Sequence, residues 1–226
     1  MKIVKISEVI DGINDLIRNK EQEQEQIQAL SDEIHSVINL DDALRDKDNE
    51  AIKEHFTTLH MNAINLFHLF LEEYIQALND IKHSVDTFES RTGMIRTDFL
   101  REDVMDKLSK IDDITNKIVD DINKQYDKVS DLVVEGRVST YYFNLNITNA
   151  SHHAEETATK LETLDEENTL SLVSSENSVD EIIQFITKIE SRTKDGVFLT
   201  DAKLKEIEDF YDESDIIQKM IDNTEK

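Results

Sequence analysis

At 226 residues the chain is long enough to bury a core unaided, and with no cysteine it has neither a disulfide staple nor a thiol nucleophile. Its 25 Lys and Arg stand against 50 Asp and Glu, a net charge of −25 that repels nucleic-acid phosphates and anionic lipid headgroups, so neither is an expected partner. No apolar run approaches the roughly 20 residues of a membrane span, and Met1 to Leu16 lacks the apolar core and cleavage site of a secretory signal.

Proline is absent and only 4 glycines occur, where ordinary usage of about 5% and 7% would give roughly 11 and 16. Almost nothing interrupts a helix, so the chain reads as all-α. Ser7 is a candidate N-cap for a first helix running to about Leu40. Its apolar positions Ile6, Val9, Ile13, Leu16, Ile27, Leu30, Ile34 and Val37 recur at three- and four-residue spacing. The polar run at 20 to 26 interrupts them and sets Lys20 and Glu23 on the seam itself.

A charged break from Leu44 to Asn49 precedes a second long helix reaching Phe88. One stripe carries Ile52, Phe56, Leu59, Ala63, Leu66, Phe70, Ala77, Ile81 and Phe88. A second runs beside it through Ile64, Phe67, Leu71, Ile75, Leu78 and Val85, which widens the apolar surface beyond what one antiparallel neighbour covers. Other elements of the chain or a second protein could meet it. Residues 1 to 48 supply one helix only, which favours another chain for part of this face.

Gly93 ends this unit, and a boundary is expected near 90 to 98, dividing residues 1–92 from 97–226. Thr97 or Asp98 caps a third helix carrying Val104, Leu108, Ile111, Ile118, Ile122, Val129 and Leu132, which stops near Gly136. The β-branched and aromatic segment 138 to 148 reads as an ordered loop, since it has no partner strand. Three shorter helices are expected at about 149 to 166, 176 to 194 and 201 to 222, with Ser178 and Thr200 near their starts and Gly196 between the last two.

Chemistry finds little support in these residues. A di-iron bundle needs Glu-x-x-His on two helices, and none of the 7 histidines has a Glu three residues before it. Asp32-x-x-His35 and Asp80-x-x-His83 are the nearest approaches. His60 and His68 lie two turns apart and read as boundary residues, and His152-His153 as solvated. There is no GxSxG, no phosphate-binding glycine loop and no HExxH. No catalytic residue, metal ligand or cofactor is therefore expected.

Several segments carry a family resemblance. Leu44-Arg45-Asp46 with Lys47, Glu50, Ala51, Ile52 and Phe56, then FLEEY at 70 to 74, resembles the signature region of LXG domains, N-terminal parts of polymorphic toxins exported by type VII secretion in Gram-positive bacteria. DFLREDV at 98 to 104, VSDLV at 129 to 133 and KLETLDEEN at 160 to 168 follow in the family's order, so the likeness reaches about residue 195. Asp46 stands where the motif has glycine, Asp48 and Asn49 replace glycine-rich positions, and Asn62 stands where the family has proline.

The resemblance implies a long antiparallel helical hairpin, similar to the small WXG100 proteins, extended by further helices into an elongated bundle. It implies a non-catalytic adaptor that binds small WXG100-like helical proteins and the type VII secretion machinery, and is secreted without a cleavable signal peptide. A C-terminal toxin domain would lie outside this chain. The partner-binding face falls on His60, Ile64, Phe67, Leu71 and Ile75, with helix-in-groove anchors at helical spacing. Tyr211 and Asp215 fit the YxxxD export pattern, and Phe99 to Asp103 fits FxxxD. Two other functions compete with this one, an acidic scaffold self-associating through the second helix and a metal-binding bundle.

Overall fold

The computed structural model describes residues 3–39, 52–90, 92–132, 136–194, 200–215 and 217–219. The junction residues Leu44, Arg45, Asp46, Asp48 and Asn49 lie outside them, as does Gly196. The described chain is all-α apart from one small ribbon. Strand β1 (Ile3–Lys5) leads into helix α1 (Ile6–Ile38), and a π-helical segment, Phe56–Met61, continues into α2 (Asn62–Phe88). Strand β2 (Met94–Arg96) is followed by a second π-helical segment, Phe99–Val104, and α3 (Met105–Lys128). Then come α4 (Tyr141–Ser171), α5 (Val173–Thr193) and α6 (Asp201–Glu213).

Two compact units are present, and neither is contiguous in sequence. One holds Met1–Val9 with Glu89–Glu167, and the other Ile10–Phe88 with Asn168–Lys226. The division falls after Phe88, and the chain rejoins the larger unit from Asn168 onward.

The smaller unit begins on the ribbon. β1 and β2 pair antiparallel, with Val4 opposite Ile95, and the Ile6 amide extends the pairing by donating to the Gly93 carbonyl at 3.2 Å. Ile6, Ile95 and Thr97 are buried. Asp98 is not a side-chain cap; it pairs instead with Arg96 at 2.7 Å. Arg101, in the second π-helical segment, donates through Nε to Glu155 at 3.0 Å and through Nη1 to Glu162 at 2.6 Å. That clamp holds the start of the α3 helix against α4. It also joins two of the separated stretches that carry the family likeness, DFLREDV and KLETLDEEN.

Residues 138 to 148 are not the loop that their composition suggests. Helix α4 starts at Tyr141, because the Ser139 hydroxyl accepts from the Tyr141 amide at 3.2 Å and the Thr140 carbonyl from the Asn144 amide at 2.8 Å. Capping at the start outweighs the weak strand preference of the residues that follow. Asn123 bonds both backbone groups of Val138, at 2.9 and 3.0 Å, and ties the α3 to α4 connection to α3.

The larger unit is built on α2. Leu59 and Leu66 pack with Ile182 and Phe185 of α5, with Ile207 of α6 and with Ile217, and Ala63, Phe67 and Phe70 border that cluster. On another side Met61 and Ile64 meet Ile34, flanked by Ile27, Ile38 and Phe56, so the second half of α1 lies on the start of α2. This is the antiparallel hairpin that the resemblance implies. On α1 the expected Ile13 and Ile34 are buried, but Ile17 and Ser31 are buried in place of Leu16 and Leu30, which are exposed. Ser7 lies within α1, and Lys20 pairs with Glu23 at 2.8 Å across the polar seam.

The remaining joints are local. Leu172 separates α4 from α5, and Ser178 is buried within α5, where its hydroxyl donates to the Ser174 carbonyl at 3.1 Å. Thr200 is the N-cap of α6 and accepts from the Lys203 amide at 3.4 Å.

Phe185 is fully buried, so Phe185→Ala should cost about 3–5 kcal/mol in urea denaturation. A cost below ~1 kcal/mol would mean that α5 does not close on α2.

Candidate interaction surface

The five residues expected to bind a partner divide sharply in the fold. Leu71 is fully buried, and Ile64 belongs to the cluster with Ile34 and Met61. Phe67 is half-buried, packs against the α5 and α6 core, and meets Phe70 edge-on at 6.0 Å. Ile75 is half-buried as well. The return of the chain at Asn168 brings α5 and α6 to Leu59, Ala63, Leu66 and Phe70 of the first stripe and to Phe67 of the second, while Ile64 meets α1. Sequence separation hides that return.

His60 lies in the π-helical segment, half-buried, with its ring centroid 5.0 Å from Phe56 and 5.2 Å from His55. Burial lowers its pKa first, and the charge of His55 adds to the effect. His68 is turned to Glu72 at 3.7 Å instead of joining it. At the end of the segment, the Asn62 amide donates to the Leu59 carbonyl, and its side-chain Nδ2 donates to the Thr58 carbonyl at 2.9 Å. A widened turn is how a helix accommodates a proline or an inserted side chain. At Asn62 both carbonyls receive donors that a proline at this position would lack.

Tyr211 is half-buried against the core, with its ring 5.8 Å from Phe185. Burial, then the Asp212 charge, raises its phenol pKa. Asp215 is exposed. The aromatic half of this YxxxD pattern therefore serves the core, and Phe99 of the FxxxD pattern is exposed.

Acid–histidine pairs of the sequence resolve into helix-surface contacts. Asp32 accepts from Gln28 at 3.0 Å, Asp80 accepts from Gln76 at 2.9 Å, and His152 and His153 are exposed on α4. Among the described residues no group of three or more His, Asp or Glu side chains is placed to hold a metal ion. No described helix is long and apolar enough to cross a membrane.

One surface was not singled out by periodicity. Ile111, Ile114, Ile118 and Ile122 of α3 are all exposed, although three of them sit in the stripe that would ordinarily define a core face. The available signal is what flanks them, since lysines recur at seven-residue spacing at 110, 117 and 124.

The sequence model of a known family, described as the LXG domain of the WXG superfamily, matches residues 2–201. A curated relative, Toxin YxiD of Bacillus subtilis (strain 168), is 23% identical over 192 residues. The match covers 84% of this chain and 34% of that protein, so this chain spans about a third of its relative's length.

Leu71→Asp buries an unpaired charge in a fully enclosed position, so it should lower stability by about 3–5 kcal/mol or more. Retention of the wild-type urea midpoint would return this side chain to the surface. For His60, the lowered pKa makes the unfolded state the better proton binder below pH about 6.5. Stability should therefore fall as pH drops through that value and level off below the folded-state pKa. His60→Gln should flatten urea midpoints measured between pH 7.5 and 5, and an unaltered slope would assign it elsewhere.

Proposed function

The chain belongs to the LXG domain family of the WXG superfamily, and we propose that it is the non-catalytic targeting domain of an antibacterial toxin. It recruits small WXG100-like helical proteins and presents itself with them to the type VII secretion machinery for export. The single observation that carries this reading is the family match over residues 2–201, which takes in all of α1 to α5. The likeness to a curated toxin supports it, and on this reading the toxin activity lies in a separate domain.

The fold supports an adaptor by what it leaves on the outside. Helices α1, α5 and α6 occupy much of α2, so Leu71 and Ile64 act within the larger unit, while His60, Phe67 and Ile75 are the members of that set with surface to offer. Self-association through the α2 face loses its main support once those helices cover it.

Light-scattering mass after size exclusion tests the reading, with the chain alone and mixed with the small helical proteins encoded beside related LXG toxins. A stable hetero-complex is expected. A mass unchanged by every such protein would defeat the targeting function. Asp46→Gly should raise amide hydrogen exchange from Leu44 to Asn49 by permitting more backbone conformations; unchanged exchange would show that Asp46 imposes no restraint there.

A further inference from the structure

We infer that the outer face of α3 is a docking surface for an acidic amphipathic helix of a partner chain. The inference rests on the targeting reading for its biological setting and on α3 alone for its physics. Ile111, Ile114, Ile118 and Ile122 are 48, 59, 54 and 39% exposed. At 3.6 residues per turn they fall within an arc of about 80°, a continuous stripe along α3. Branched apolar side chains at this exposure and spacing are the anchors of helix-in-groove recognition, and contiguous exposed stripes of this kind mark interaction sites.

Charge names the occupant. Lys110, Lys117, Lys124 and Lys128 lie on one flank of the stripe and are all exposed, with Asp121 the acid among them, and Lys107 stands in line with the isoleucines one turn before Ile111, in a chain whose net charge is −25. A row of acids at 106, 113, 120 and 127 sits farther round, away from the isoleucines. Lys110 pairs with Asp106 at 2.5 Å and Lys124 with Asp121 at 3.1 Å, but such exposed pairs within one helix are worth only tenths of a kcal/mol and exchange readily for a partner's acids. The other side of α3 is the half-buried one, carrying Leu108, Thr115, Val119 and Tyr126. The lysine flank is thus the edge where a docked helix would place its flanking charges, and carboxylates satisfy it.

A second copy of this chain fits less well. An antiparallel two-fold pairing of α3 on itself would set lysine flank against lysine flank, because an isologous contact matches each side with its own equivalent.

The test uses the full chain and two labelled 28-residue peptides, each with Ile and Leu at heptad positions a and d. One has Glu at e and g, the other Lys. Fluorescence anisotropy should show the Glu peptide binding, more weakly as NaCl rises from 50 to 500 mM, and the Lys peptide failing to bind. Ile118→Glu, at an exposed site that leaves the fold intact, should weaken binding at least tenfold. Lys110→Glu with Lys117→Glu and Lys124→Glu should reverse the peptide preference.

Binding of neither peptide, or Glu-peptide binding indifferent to both sets of changes, overturns the inference. So does a wild-type dimer in light scattering that Ile118→Glu converts to monomer, since the stripe then belongs to a second copy. If the helical proteins encoded beside related toxins bind wild type and Ile118→Glu equally, the targeting reading stands and the α3 surface falls. If they do not bind while the Glu peptide does, the surface stands and that reading falls.

Discussion

The larger unit depends on α2 having two apolar sides. A helix that exposed both stripes would remain soluble only by associating, and here Leu59 and Leu66 are closed by Phe185, Ile182 and Ile207 while Ile64 is closed by Ile34. Burying side chains of this size is worth about 1.5–3 kcal/mol each, the main term available to offset the cost of ordering such long helices. The polar devices around the core are small by comparison. Thr200 sets where α6 begins, and the Ser84 hydroxyl joins α2 to Asn168 at 3.0 Å where the chain returns.

The smaller unit is held in another way. Its α3 shows no fully buried residue, and its ties to the rest of the unit include polar ones: Arg101 to Glu155 and Glu162, Asn123 to Val138, and Arg137 to Asp127 at 2.7 Å. Side chains of the kind that would form a core lie outward on α3 instead. One acidic chain thus contains a unit that consumes its apolar faces and a unit that keeps one exposed beside a lysine edge.

Much of this was legible before any coordinates. The absence of proline, the three- and four-residue spacing and the Thr200 cap place the helices, because each is a local property. The same spacing places Ile13 and Ile34 correctly but takes Leu16 for Ile17, since Ile13, Leu16 and Ile17 offer two adjacent stripes and only packing chooses between them. It read 138 to 148 as a loop because strand preference was weighed without the cap at Ser139 and Thr140. It leaves α2 open to either the chain's own elements or a partner, because α5 and α6, which meet Leu59, Leu66 and Phe67, follow far along the chain and no local pattern carries that information. The exposure of the α3 isoleucines was hidden for the same reason.

The discontinuity of both units has a consequence for biosynthesis. Leu66 and Phe185 are separated by roughly 120 residues, which at ~5–20 residues per second is about 6–24 s of translation. Throughout that interval α1 and α2 are made and α5 and α6 are not, so the side of α2 that carries Leu66 stays open on the ribosome. β1 likewise waits for Met94–Arg96 before it can pair. A helical protein already present when α2 emerges would compete with α5 and α6 for Leu66 and Phe67, and the order of synthesis, more than the finished surface, would decide whether Leu66 is ever within a partner's reach.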